Sequence, residues 1–254
     1  MKTIVFGDIH GRTEWYDIVQ AENPDKVIFL GDYVSTHEDI SSDQQCGNLE
    51  DIMNFKECEP DRVVMLFGNH DLQHLGYYWA ECSGLDRGVY RWMSSKDVAN
   101  RFLKCTQAIY IQDNLLFSHA GVSKVWWNAQ FMGEPTAENL LKLNEIEPCE
   151  IYAFTPERYS DWSGESTTQP PVWIRPTSLL KSHIEGWDQV VGHTRLNRPG
   201  NVLEGNRFDA YRENWGITMN ECWIIDCMPH QYMVIEDGKR ELREWKGVKY
   251  ESKV

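Results

Sequence analysis

The feature that most constrains this chain is a rhythm in its first 120 residues. Short apolar runs alternate with amphipathic stretches, and three of the runs end directly in Gly-Asp or Gly-Asn. Residues 3–6 read as a strand, 13–21 as a helix and 26–30 as a second strand. Residues 47–58 follow as a helix, 62–67 as a third strand and 71–79 as the start of another helix. Strand and helix in this order imply βαβ units and a largely parallel sheet. Residues 96–105 then carry helical periodicity, and 108–112 with 115–118 form a hairpin around Asp113-Asn114.

The second half is less regular. Residues 136–147 read as helix, 155–171 as a long loop rich in Ser, Thr, Pro and Gly, and 189–191 as a short strand. A loop that long in a compact fold is more often functional than idle. Residues 222–226, 232–236 and 241–245 are expected to be consecutive antiparallel strands, with Gly238 turning the last pair. The aromatic stretches Tyr77-Tyr78-Trp79 and Gly88-Val89-Tyr90-Arg91-Trp92 are assigned to helix packing, with base stacking or peptide covering as the alternative. No linker divides the 254 residues, so one domain spanning 1–254 with two sheets is expected.

Composition narrows the function classes. A formal net charge of −14, from 25 basic and 39 acidic side chains, disfavours stable nucleic-acid binding and a basic membrane anchor. No run approaches the length of a membrane span, and the short apolar start lacks the length and cleavage site of a signal peptide. The seven cysteines are odd in number and contain no Cys-x-x-Cys pair, which fits reduced thiols and a cytoplasmic location.

The chemistry concentrates in five short blocks, each just after an expected strand: Gly7-Asp8-Ile9-His10-Gly11, Gly31-Asp32-Tyr33, Gly68-Asn69-His70-Asp71, Ser118-His119-Ala120-Gly121 and Gly192-His193-Thr194. Ligands in open α/β sheets bind at the carboxyl ends of strands, so these side chains should converge. The set is Asp8, His10, Asp32, Asn69, His119 and His193. Mixed oxygen and nitrogen donors without thiolate suit Mn²⁺, Fe or Zn²⁺. Six ligands exceed one tetrahedral zinc and fit two divalent ions sharing a carboxylate.

In these motifs and their order the chain resembles the calcineurin-like metallophosphoesterase superfamily. The resemblance is to its phosphoprotein phosphatase branch, which includes diadenosine tetraphosphate hydrolases and bacterial and phage Ser/Thr phosphatases. It spans about residues 3–235 and implies an α/β fold of two mixed β-sheets packed as a sandwich and flanked by helices. It also implies two divalent cations, Mn²⁺ foremost, with Asp8 and His10 on the first, Asp32 bridging, and Asn69, His119 and His193 on the second. A metal-bridging hydroxide would attack phosphorus, and His70 would be the general acid. The resemblance points to Arg175, in Val172-Trp173-Ile174-Arg175, as a phosphate ligand. Arg12, just after the first block, is a weaker candidate, and Arg195 and Arg198 are candidates for the rim.

The second block departs from the family, which usually continues Gly-Asp-x-Val with Asp-Arg-Gly. Here Ser35 stands in place of the Asp that orients the general acid, and Thr36 in place of a clamping Arg. The carboxylates nearby in sequence are Glu38, Asp39 and Asp71, and Asp71 is taken as a catalytic candidate on that ground. The expected activity is phosphomonoester hydrolysis, with a Ser/Thr protein phosphatase as its specific form. The alternatives are hydrolysis of a nucleotide-type phosphodiester or phosphoanhydride such as diadenosine tetraphosphate, and a catalytically weak phosphate-binding protein. Expected partners are thus a phosphorylated small molecule, a nucleotide or a phosphoprotein. Oligomeric state is not legible.

Overall fold

The first three strands are apolar at nearly every position, which suits a sheet covered on both faces. In a computed structural model, which describes residues 1–75, 82–131, 133–145, 154, 164–195, 222–226 and 231–247, they occupy the middle of the larger sheet. β1 (Lys2–Phe6), β2 (Lys26–Phe29), β3 (Val63–Leu66) and the short β4 (Thr106–Gln107) run parallel. β9 (Gln231–Glu236) pairs antiparallel with β1, and β10 (Lys239–Glu244) with β9, giving the order β10-β9-β1-β2-β3-β4. The second sheet has the order β5-β6-β7-β8, from β5 (Ile109–Gln112), β6 (Leu115–Ser118), β7 (Asp188–Val191) and β8 (Cys222–Ile224). Only β5 and β6 are antiparallel within it.

Period-two alternation sorts the strand residues into layers. Ile4, Phe6, Val27, Phe29, Val63 and Met65 face α1 (Glu14–Glu22) and α2 (Ser42–Cys58), packing with Trp15, Ile18, Leu49 and Ile52. Val5, Ile28, Leu30, Val64 and Leu66 face the other way and meet Leu115, Phe117, Val190 and Ile225 of the second sheet. Beyond that sheet, Val191 and Ile224 pack with Ile174 and Leu179, the latter on α8 (Pro176–Lys181). The architecture is therefore the expected one of two mixed sheets flanked by helices.

Several local expectations change. Residues 222–226 do not pair beside β9; residues 222–224 extend the second sheet parallel to β7, while β9 takes β1 as partner. The position beside β7 lets Ile224 and Ile225 bury on opposite faces of that sheet. α2 begins at Ser42 rather than 47. Ser41 Oγ accepts from Gln44 N and the Gln44 side chain accepts from Ser41 N, a capping box that outweighs the helix-weakening Gly47. α5 (Lys96–Cys105) stands where expected, whereas α3 (Asn69–His74) starts two residues before the expected 71 and ends at His74. α4 (Arg87–Met93) takes up the second aromatic stretch as packed helix, with Val89 and Met93 buried, whereas Tyr77-Tyr78-Trp79 lie outside the described residues. α6 (Lys124–Gln130) was not anticipated; Ser123 caps it. The helix expected at 136–147 is split into α7 (Ala137–Leu141) and a 3-10 turn, Lys142–Glu145. Of the expected loop 155–171, only 164–171 is described. No helix among the described residues is long and apolar enough to cross a membrane.

Candidate metal centre

Every site residue follows a strand. Asp8 follows β1, Asp32 β2, Asn69 β3, His119 β6, and His193 β7, so the carboxyl ends of strands in both sheets open onto one crevice. Ligand atoms of Asp8, His10 and Asp32 lie within 4.8 Å of one another, and so do those of Asp32, His119 and His193. Asn69 Oδ1 completes the second group, 2.9 Å from His119 Nε2 and 3.0 Å from His193 Nδ1. All six sequence-derived ligand candidates are thus brought together, with Asp32 common to both groups.

The backbone is bent to achieve this. His10, Asp32 and His193 hold φ of 49°, 51° and 62°, a left-handed conformation unfavourable for side-chain-bearing residues and frequent at functional sites. A Cβ on Gly68 would strike the Asp32 carboxylate, and one on Gly192 would strike that of Asp8. One oxygen of each carboxylate is tied to a backbone amide: His70 N donates to Asp32 Oδ1 (2.9 Å) and His193 N to Asp8 Oδ1 (2.8 Å).

Backbone carbonyls set the tautomers of the three candidate ligand histidines, since a carbonyl can only accept. His10 Nδ1 faces Val34 O at 3.0 Å, His119 Nδ1 faces Leu30 O at 2.9 Å and His193 Nε2 faces Trp173 O at 3.1 Å. In each ring the other nitrogen is left for the crevice. His193 is the informative case. Burial, then the charges of His119 and Arg175, hold it well below the usual histidine range, so it is neutral with one ring proton. Yet it sits between two acceptor oxygens, Trp173 O and Asn69 Oδ1. The Asn69 side chain is held in that orientation by its own Nδ2, which donates to Cys82 Sγ, while Cys82 Sγ donates to Asn69 O. Two lone pairs therefore face each other at 3.0 Å, an arrangement a cation satisfies.

The electrostatics agree. Burial, then repulsion from Asp226 and Asp32, raises the Asp8 carboxyl well above its usual range. Asp32 is also buried, but the neighbouring His119, His70 and His10 hold it well below the carboxylate range. Burial opposes protonation of His119, but Asp32 and Asp8 outweigh it and raise it to about 10. Clustered buried carboxylates and imidazoles of this kind are what a pair of divalent cations would neutralise.

The remaining candidates separate clearly. His70 lines the cleft with its Nε2 4.0 Å from Asp32 Oδ2; burial lowers it to about 4 against the opposing pull of Asp32. Asp71 does not line the cleft, which corrects the expectation that it serves His70. It is fully buried and accepts from Asp32 N, Tyr33 N and Gly68 N, each at 2.8 Å, so it fastens the ends of β2 and β3 together. Glu38 is also not the orienting carboxylate, because it pairs with Arg12 at 2.7 Å. Arg12, Arg175 and Arg195 all line the cleft of about 570 Å³, with Arg175 Nη1 donating to Thr194 Oγ1 at 3.2 Å. Arg198 lies outside the described residues. Sequence reasoning missed Asp226, a fourth carboxylate on the cleft wall beside Asp8, Asp32 and Glu38, raised by burial. Its signal was present: the apolar run Trp223-Ile224-Ile225 leads into it as the other strands lead into theirs, without the glycine.

A fold of two mixed sheets with this donor set at its strand ends defines a metal-dependent phosphoesterase. The model of the calcineurin-like phosphoesterase family matches residues 1–219, and the chain belongs to that family. Among solved structures, the cold-active protein-tyrosine phosphatase of a psychrophilic Shewanella species is similar at 16% identity and a TM-score of 0.53, covering 95% of this chain and 80% of that one. A protein serine/threonine phosphatase of Saccharomyces cerevisiae, with similarity to human phosphatase PP5, is similar at 12% identity and a TM-score of 0.55, covering 99% and 82%. A search of curated proteins returns no match.

Proposed function

We propose that the protein hydrolyses phosphomonoesters with two divalent cations, Mn²⁺ foremost, held by Asp8, His10 and Asp32 and by Asp32, Asn69, His119 and His193. The observation that carries this reading is the neutral His193 wedged between two acceptor oxygens beside the Asp32–His119 pair. When bound, such cations supply an acidified water as nucleophile and neutralise the charge of the phosphate oxygens. The chain's own groups do the rest. Arg175 and Arg195 line the cleft where the phosphoryl oxygens would lie and suit bidentate contact, while Arg12, on the same wall, has its fork on Glu38. His70 Nε2, on the same wall beside Asp32, is placed to donate to the leaving oxygen. The two structural neighbours act, by their names, on protein phosphate, which supports a phosphorylated side chain as one candidate substrate. The guanidinium groups of Arg175 and Arg195 favour one second reading, a phosphoanhydride with more than one phosphate to hold.

A panel of p-nitrophenyl phosphate, bis-p-nitrophenyl phosphate, phosphopeptides and diadenosine tetraphosphate with Mn²⁺ tests this. Turnover of the monoesters, abolished by EDTA, is expected; no turnover of any member would refute both readings. His70→Asn should keep its metal and lose about 100-fold in kcat, the usual cost of one transition-state hydrogen-bond donor. Unchanged kcat would remove His70 from the reaction.

A further inference from the structure

Beside His70, where the family's usual sequence has an Asp, the chain has built something else. Ser35 is buried, its φ is 67°, and its N–H donates to Gln45 Oε1 at 2.9 Å, which pins the turn. Its hydroxyl accepts from Gln73 Nε2 at 3.1 Å. The same Gln73 nitrogen lies 3.4 Å from His70 Nδ1. Which way the Gln73 amide points is settled at its other end: the backbone N–H of Cys82, which can only donate, lies 2.8 Å from Gln73 Oε1. The carbonyl oxygen is thus taken, and the amide nitrogen has two hydrogens for two neighbours, Ser35 Oγ and His70 Nδ1. No carboxylate oxygen among the described residues is hydrogen-bonded to His70 Nδ1.

An imidazole nitrogen that accepts carries no proton, so the single ring proton of His70 sits on Nε2, facing the cleft. A carboxylate at Nδ1 would do the reverse. It would accept a proton held on Nδ1, so that a ring with hydrogens on both nitrogens could give up the one on Nε2 and remain a neutral imidazole. Gln73 offers only N–H and so favours a neutral ring that lends a hydrogen bond and keeps its proton.

We propose that Gln73, held by Ser35 and the Cys82 amide, is the positioning residue that keeps His70 in its Nε2–H form, and that this selects substrates whose leaving oxygen departs as a stabilised anion. The inference rests on the phosphoesterase reading above and deepens it. In the reaction, phosphorus gains the oxygen of water and loses the leaving oxygen, which departs with the electron pair of the broken P–O bond. The proton stays on His70 Nε2, water's proton passes to solvent, and the leaving oxygen takes one from solvent afterwards. A phenolate, whose parent acid has pKa about 10, or a phosphate tolerates this; an alkoxide, comparable in basicity to hydroxide, does not. The shared chemistry is a low-basicity leaving group, present in aryl phosphates and in phosphoanhydrides.

Two readouts test it on the Zn²⁺-loaded protein. Long-range ¹H–¹⁵N spectra of the histidine rings, with His70 assigned by its loss in His70→Gln, should show Nδ1 unprotonated and Nε2 protonated. A protonated Nδ1 overturns the proposal. Turnover of a phosphotyrosine peptide should exceed that of the matching phosphoserine peptide by about 100-fold or more, the usual worth of a general acid that is lacking here. Diadenosine tetraphosphate distinguishes an anhydride from an aryl ester as the better substrate. Gln73→Glu supplies the missing carboxylate and should move the proton to Nδ1 and narrow the peptide ratio at least tenfold through kcat, with KM little changed. Ser35→Asp should act in the same direction and serves if Gln73→Glu does not fold. A ratio near one in the wild type, or an unaltered ratio in folded, metal-loaded variants, overturns the inference and leaves the phosphoesterase reading intact. Absence of turnover on every ester removes that reading instead, and the ring spectra then decide the Gln73 assignment alone.

Discussion

His119 holds a second proton in this fold because Asp32 and Asp8 face it across a dry interior and outweigh the cost of burial, raising it to about 10. Its Nδ1–H is committed to Leu30 O, so the proton that must leave for a metal to bind is the one on Nε2. Below about pH 10 the metal competes with that proton, and acid weakens binding. Apparent affinity for Mn²⁺ should therefore rise about tenfold per unit between pH 6 and 8, one proton being released per ion at this position. Titration calorimetry at pH 6, 7 and 8 reads this directly, and a flat affinity would contradict the assignment. At this scale the sequence was informative about donors and silent about their supports. The six ligand candidates are legible because each interrupts an apolar run with a polar residue, most beside a glycine. Asp71, His70's immediate neighbour, was misread as catalytic because sequence adjacency cannot show that a helix's first turn points its third residue backward, into the amides of Asp32, Tyr33 and Gly68. Gln73 and Cys82 carried no signal, since their role lies in hydrogen bonds between α3 and the segment beyond it.

At the scale of elements, strand ends do the positioning. The first-half strands and α5 were legible because period-two and period-3.6 patterns survive burial there. β8 was not. Its three residues say nothing about which sheet they join, and nearness in sequence to β9 favoured the wrong partner. That misplacement is also why Asp226 was overlooked: only as the end of a strand parallel to β7 does it reach the cleft. The glycine beside five of the six ligand candidates is a spacing device, and Gly192 is its sharpest instance. Gly192→Ala would press a methyl group into the carboxylate of Asp8, which His193 N also holds. The variant should fold, because β7 is otherwise unchanged, yet lose at least tenfold in Mn²⁺ affinity, the loss typical when a support of a metal ligand is disturbed. Wild-type affinity in this variant would show that the close approach of β7 to Asp8 does not shape the centre.

At the scale of the molecule, a net charge of −14 coexists with a cleft walled by Arg12, Arg175 and Arg195. Exposed acidic groups more than about 8 Å away are largely screened at physiological salt, so the local field is set by the cleft itself. Asp8 and Asp32 would contribute two negative charges against four from two divalent ions, which would leave the centre cationic. Asp226 and Glu38, on the same wall, would reduce that excess. The acidic exterior disfavours a long polyanion, whereas a single phosphoryl group reaching the strand ends would meet mostly positive charge once two divalent ions are bound. The central claim is that two divalent ions share Asp32 at the meeting of the two sheets. Elemental analysis after Mn²⁺ loading and removal of free metal tests it most directly, with Asp32→Asn measured in parallel. Two ions per chain in the wild type, and loss of both in the variant, is the predicted result. One ion or none in the folded wild type, or two retained in Asp32→Asn, would contradict it.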